Sequence, residues 1–301
     1  MEYITLPDLK GLAALRAVVE LGGVEPAGQF LHIGQPAVTK RLRSLDECYG
    51  IPLMQHKGRK LELTNAGKKV YAYAQLSLDH QSTLIEDLSS LRQGKNQLRL
   101  EVTFAIGEQL LPDLLWNFSE SYPEYQLQSR MGYSRRIQTR LATGLSDLAL
   151  LEQAPDHPEI LVQKWFEDEL ILVCSPNHKL SNAGLIPLSE LSKQNYVLRE
   201  SQSSMRIILD KELQDIGIPQ LPTSLEVGST DTIVEMLGRG RHLSFLPRFA
   251  VQDALTNNIL QHIKVEGLRI KITLWIARNR SNINNPVAEA FIKLLRSSAS
   301  T

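Results

Sequence analysis

"GQPAVTKRLRSLDECYG" spans residues 34–50 and carries two faces. Val38, Leu42 and Leu45 recur at the spacing of one apolar stripe along an amphipathic helix. Gln35, Thr39, Lys40 and Arg43 fall on the other side, which is polar and basic. Such a face is either solvated or aimed at something negatively charged, and the flanking chain decides between the two. Upstream, Leu9, Leu12, Leu15 and Val19 mark a helix with Asp8 as N-cap and Gly22-Gly23 as its stop. A brief second helix is expected at about Pro26 to Leu31, followed by His32-Ile33-Gly34. A short helix, a tight turn containing glycine and a basic amphipathic helix are the outline of a helix-turn-helix. Downstream, "LMQHKGRKLELT" (53–64) reads as two extended runs around a basic tip, Lys57-Gly58-Arg59-Lys60. Residues 34–60 hold six basic and two acidic side chains, a local surplus of four positive charges, which is where a face for duplex DNA would sit.

That surplus is local. The 301 residues carry 33 basic and 33 acidic side chains, so overall charge points to no nucleic-acid partner. Composition, 43% hydrophobic and 22% charged, fits a soluble protein of two or three domains. Cys48 and Cys174 lie far apart, which argues against a disulfide scaffold or a zinc ribbon. Seven scattered histidines show no HxxxH or HExxH spacing, so no metal site is expected. "MEYITLPDLK" lacks the pattern of a signal peptide, and no apolar run is long enough for a bilayer, so the expected location is the cytoplasm with no membrane contact.

From Thr64 to Arg92 there is no proline, and Gly67 is the only glycine. Thr64 can cap a long helix, and Val70, Ala74, Leu84, Leu88 and Leu91 suggest an imperfect coiled-coil stripe for pairing with a second copy. "RQGKNQ" (92–97) reads as a hinge. Beyond it strands and helices alternate, from "LRLEVTF" to "KITLWIA" and a last helix, "PVAEAFIKLLRS". Repeated βα units predict a parallel sheet covered by helices, as one large domain or two lobes.

The helix at 34–50 has the chemistry for a major groove: Gln pairs bidentately with adenine, and Arg or Lys with guanine. Lys57, Arg59 and Lys60 would hold phosphates, which position a protein without reading sequence. Residues 9–67, through "LHIGQPAVTKRLRSLDECYGIPLM" and "GRKLELTNAG", resemble the winged helix-turn-helix of LysR-type transcriptional regulators. "LLPDLLWNFSESYPEYQLQ", "LATGLSDLALL", "LEVGSTDTIVEMLGRG" and "LSFLP" continue the resemblance over nearly the whole chain.

The resemblance implies an all-α winged helix-turn-helix at 1–64 and a linker dimerisation helix at 65–93. It also implies an effector-binding domain at 94–301 of periplasmic-binding-protein type, with α/β lobe I at about 97–165 and 269–301 and lobe II at about 166–268. The implied partners are operator DNA and further copies of the chain, as a homodimer and a tetramer built as a dimer of dimers. RNA polymerase is a further candidate partner. Gln35, Pro36, Thr39 and Lys40 fall where the family contacts bases and backbone, with Arg43 on the same face and Arg59 at the wing. Four positions depart from the family pattern. Gly34 stands at a capping position usually held by Ser, Glu25-Pro26 replace a hydroxyl residue and Arg, and His56 replaces a wing Arg. The last puts a group that titrates near neutrality at the wing.

In the α/β region, hydroxyl residues stand where strands lead into helices: Thr103, Ser134, Ser201, Ser203, Ser204 and Ser229 with Thr230. Helix N-termini offer unpaired N–H groups and a positive dipole end, which favour an anion, although a serine there is also an ordinary N-cap. The family pattern puts Thr103, Ser134 and Ser229 at a cleft between the lobes, with Ser201 and Ser203 nearby in sequence. The expectation is a small polar or anionic effector and no cofactor. Of Arg135, Arg136, Arg199 and Arg206, nearby in sequence, one is a candidate to meet a carboxylate and most are expected to be solvated, and Trp116, Trp165 and Trp275 are expected to lie in the core or between lobes. The competing readings are an enzyme on a doubly wound fold and a transporter's solute-binding protein. Against the first, GxGxxG, GxxxxGK, GxSxG and HExxH are all absent; against the second stands the basic N-terminal domain.

Overall fold

A computed structural model describes residues 6–57, 60–93, 97–280 and 285–298. The chain forms two compact units, Met1–Gln93 and Gly94–Thr301.

In the first unit, α1 (Leu9–Leu21) starts at Asp8, whose carboxylate accepts from the Lys10 amide at 3.1 Å, and ends at Gly22 in the left-handed conformation. Helix α2 is Val24–Phe30, and α3 is Gln35–Tyr49, ended by left-handed Gly50. The second helix thus begins two residues before the expected Pro26. Pro26 is its third residue, where the missing N–H is one a helix start leaves unbonded anyway. His32 is exposed with φ 53° and makes the turn. Gly28 lets that turn close, because a Cβ there would stand 2.8 Å from the Ile33 carbonyl oxygen.

Strands β1 (Met54–Lys57) and β2 (Lys60–Leu63) form an antiparallel hairpin pairing Lys57 with Lys60. Helix α4 (Asn65–Gln93) is capped by Thr64, whose hydroxyl accepts from the Gly67 amide at 2.9 Å. Leu12, Leu15, Leu45, Leu53 and Ala74 form one core, and Ala14, Ala17, Val18, Ala27 and Val38 a second. The stripe expected along α4 therefore divides. Ala74 is fully buried within its own chain and Val70 packs beside it, whereas Leu84 and Leu88 are 51% exposed and Ile85 59%. The Leu91 side chain lies outside the described residues.

The second unit runs β3 (Gln97–Thr103), α5 (Phe104–Gln109), α6 (Leu111–Ser121), β4 (Gln126–Gly132), α7 (Ser134–Ala142), β5 (Leu148–Leu151) and β6 (Ile160–Cys174). It continues with β7 (Leu185–Ile186), a 3-10 turn (Leu188–Lys193), β8 (Tyr196–Arg199), α8 (Ser204–Asp215), β9 (Thr223–Val227) and α9 (Thr230–Gly238). β10 (Leu243–Pro247), α10 (Arg248–Thr256), β11 (Gln261–Val265), β12 (Ile270–Asn279) and α11 (Pro286–Ser298) complete it.

Strands run β4-β3-β5-β12-β6-β10-β8-β9, with β11 on β6 and β7 on β11. β3, β4 and β5 pair in parallel, as do β8, β9 and β10, so each lobe has the sheet expected of βα units. The whole is mixed, not parallel. β6 and β12 form a long antiparallel ladder, from Ile270–Leu170 to Asn279–Ile160, that passes from one lobe to the other. A continuous apolar cluster fills both lobes, from Leu98, Leu100 and Val102 to Leu243, Phe245 and Phe291. Trp165 donates to the Leu295 carbonyl at 3.0 Å and Trp275 is half-buried, but Trp116, expected inside, is 68% exposed on α6. Cys174 packs fully buried, and burial pushes its thiol up to about 11.

Candidate functional site

On α3, the apolar stripe Val38, Leu42 and Leu45 packs against the rest of its unit and turns the opposite face outward. Gln35, Pro36, Thr39, Lys40 and Arg43 are all exposed there and line one shallow concave surface. Gly34 leaves the helix start without a side-chain cap, but Pro36 has no N–H and the Ala37 amide donates to the Gly34 carbonyl at 2.9 Å, so the helix start itself offers a phosphate little beyond the Gln35 amide. The Thr39 hydroxyl donates to the Gln35 carbonyl at 3.1 Å, which leaves its oxygen lone pairs and methyl group to face outward contacts. On the hairpin, Lys57 is 78% exposed with Glu62 at 3.9 Å, and His56 is exposed beside it. Lys60 sits at the start of β2, and Arg59 lies outside the described residues.

A second candidate site lies in the other unit, between its lobes. Thr103, Phe104, Ala105, Gly132, Tyr133 and Glu152 line it from one lobe, and Arg199, Ser203 and Ser204 from the other. The space they enclose is about 10 Å³, room for a single water. Of the five effector residues expected from sequence, Thr103 and Ser203 line this cleft, both buried. Ser134, also buried, is the first residue of α7 directly after Tyr133, and its hydroxyl accepts from Gln138 at 3.1 Å. Ser201 is exposed and outside the lining. Ser229 acts as the ordinary N-cap of α9, accepting from the Thr232 amide at 3.3 Å, and its neighbour Thr230 takes the buried position.

Arg199 and Arg206 are buried, not solvated as expected, while Arg135 and Arg136 are exposed. Burial of these two guanidiniums is offset by dense pairing. Arg199 Nε and Nη2 each donate at 3.0 Å to a different oxygen of Glu200, and Nη1 donates to Thr230 Oγ1 at 3.1 Å. Arg206 pairs with Asp210 and donates to the Arg199 carbonyl at 3.0 Å. Burial works against ionising Glu200, but its Arg199 pair outweighs that and holds the carboxyl below its usual range. Tyr133 is pushed up, chiefly by burial and then by Glu200. Arg199 also stands over the Phe104 ring, 5.9 Å from its centroid, a cation–π contact between the lobes.

Three carboxylates in or beside the cleft escaped the sequence reading. Glu152 follows β5 and is buried; its Oε1 accepts from the Thr103 hydroxyl at 2.6 Å. Burial pushes its carboxyl up, with the Thr103 hydrogen bond the first of the opposing influences. Glu108, on α5, accepts from the Thr230 amide at 2.8 Å across the lobes, and Gln109 beside it contacts Asp231. Glu200 is the third. The one sequence signal was an acid, Glu152, closing the apolar run "LALLE". Among the described residues no group of three or more His, Cys, Asp or Glu could hold a metal, and no helix is long and apolar enough to cross a membrane.

Residues 9–68 match the family described as bacterial regulatory helix-turn-helix protein, lysR family, and residues 92–300 the LysR substrate binding domain. The chain belongs to the LysR family. It is a DNA-binding transcriptional regulator, with a helix-turn-helix unit followed by a two-lobe α/β unit. A probable RuBisCO transcriptional regulator of Cyanidium caldarium is similar to this LysR-family chain, 29% identical over 291 residues, covering 94% of this chain and 91% of its own. Full-length CbnR in complex with its target DNA shares the fold with a TM-score of 0.71 at 19% identity, over 98% of this chain and 100% of that one. The regulatory domain of Synechocystis PCC6803 CcmR in complex with 2-PG does so with a TM-score of 0.62 at 20% identity, over 68% of this chain and 98% of its own.

Proposed function

We propose that this LysR-family regulator reads an operator with the exposed face of α3 and holds the flanking phosphates with its wing. In this reading residues 1–64 bind DNA, 65–93 join two copies and 94–301 sense a small effector between the lobes. The observation that carries the DNA assignment is the outward face of α3: Gln35, Thr39, Lys40 and Arg43 are exposed together on a helix whose other side is core. The exposed apolar stretch Leu84, Ile85 and Leu88 supports pairing through the distal half of α4, and a dimer of dimers is the assembly we favour. Effector control is supported by the cleft: a tight, polar, two-sided space whose walls come from different lobes. The CcmR domain's complex with 2-PG makes small acids the first class of ligand to try.

The test has three parts. Binding of the full chain to duplex DNA should weaken steeply as salt rises. Replacing Leu84 and Leu88 with Asp should reduce the mass seen by light scattering, since each charge would be buried unpaired in the seam. Small polar acids should raise the melting temperature of the full chain by mass action. Salt-insensitive binding refutes the DNA face, and unchanged mass in the Asp variant moves the seam elsewhere.

A further inference from the structure

Arg199 and the start of α9, two sources of donors for an anion in the interlobe cleft, are already committed within this chain. Arg199 spends Nε and Nη2 on Glu200 and Nη1 on Thr230. The amide of Thr230, in the first turn of α9, goes to Glu108, and that of Thr232 to Ser229. The open valence is an acceptor instead. Glu152 is only 4% exposed and lines the cleft; Oε1 takes the Thr103 hydroxyl, while Oε2 is fully buried with no well-formed hydrogen bond, the Ser204 hydroxyl being the other cleft group that acts on this carboxyl. A buried polar atom left unpaired is costly, and few persist in folded proteins without a reason.

We infer that the effector of this protein is a small acid that also carries a hydroxyl or ammonium group, and that Glu152 Oε2 receives that donor. The inference rests on the cleft being the effector site, as proposed above. The acid end has a place to go: α7 and α8 begin at Tyr133 and Ser203 with no side chain capping their amides, and both residues line the cleft. The donor end then completes the Thr103–Glu152 pair. A simple carboxylate or phosphate would satisfy the helix starts but leave Glu152 Oε2 as it is. Glu152 is thus a specificity-determining residue, selecting acids that bring a donor over those that do not.

Matched sets of acids test this by calorimetry on the full chain: propanoate, lactate and alanine, then succinate, malate and aspartate. The hydroxyl- or ammonium-bearing member of a set should bind about tenfold more tightly than its plain parent, the value of one well-formed hydrogen bond. In Glu152→Gln, where an amide replaces the carboxylate without changing its shape, that preference should shrink to within about twofold. Plain parents that bind wild type as tightly as their hydroxy and amino counterparts overturn the inference, with no variant needed. So does a preference that survives in Glu152→Gln. If no member of either set binds either protein, while each remains folded by circular dichroism, the effector reading of the cleft falls and this inference falls with it.

Discussion

Lys57→Ala isolates what the wing contributes to DNA binding. Its side chain is 78% exposed, so its loss should leave folding stability within about 0.5 kcal/mol of wild type. Its neighbour Glu62, 3.9 Å away and 45% exposed, forms the kind of surface pair worth about 1 kcal/mol or less, so the ammonium is available to a phosphate. Each phosphate contact contributes about 0.9 to the slope of log affinity against log salt, and the dimer proposed above would present two copies of the wing, so the variant's slope should be shallower by about 1.8. Between 50 and 200 mM salt, wild type should then lose about twelvefold more affinity than Lys57→Ala. Fluorescence anisotropy on a labelled duplex, titrated with potassium chloride, reads this directly. Because the lost contact carries no sequence information, a random duplex should show the same change in slope as an operator. Parallel salt plots for the two proteins would refute the wing as a phosphate clamp.

Three further outcomes follow from the packing and the charges. Gly67→Ala should destabilise the N-terminal unit by at least about 2 kcal/mol in urea unfolding, because a Cβ there would meet the Leu53 carbonyl oxygen at 1.9 Å and force α4 off the hairpin. The carboxyl of Glu152 is pushed up by burial, so the stability tied to it is fully present below its unfolded pKa and lost as pH rises through its folded one. Melting temperatures across pH should show that decline in wild type and a flatter curve in Glu152→Gln. Glu108→Gln turns a charged hydrogen bond to the Thr230 amide into a neutral one; the difference, about 1 kcal/mol, should favour parted lobes and tighten any effector's apparent affinity about fivefold in calorimetry.

The N-terminal unit was largely legible because its signals are local. Asp8, Gly22, Gly50 and Thr64 are caps and stops acting within a few residues of themselves, and the α3 stripe shows its period within fifteen residues. Where the reading went astray, contacts distant in sequence decided. Ala74 obeys the heptad of a seam, yet α1 and α3 claim it for the unit's own core. β6 and β12 pair antiparallel across about a hundred residues, which βα alternation alone cannot announce. Arg199 looks like any arginine after a strand until Glu200, Thr230 and Phe104 close around it. The cleft was half visible for the same reason. Hydroxyls at helix starts are a local pattern, whereas Glu108 meets its partner 122 residues away, and Glu152 meets Thr103 from 49.

That long-range set has a consequence for control. The lobes are drawn together by Glu108 on the Thr230 amide, by Gln109 with Asp231 and by Arg199 over Phe104, and the space left is one water's worth. An effector enters only when these contacts give way, so its apparent affinity is its intrinsic affinity reduced by the fraction of molecules with parted lobes. It changes the balance of states only through interactions it makes better in one arrangement than in the other. In this cleft two of the competing groups are carboxylates, Glu108 on the Thr230 amide and Glu200 on Arg199, so an anion on its own offers these two donors little beyond what they already hold. Glu152 Oε2 has no well-formed hydrogen bond in the closed state, and a donor delivered to it is net gain. Strength of latch and chemistry of trigger are thereby set by different residues, Glu108 and Arg199 fixing how much effector is needed and Glu152 fixing which one.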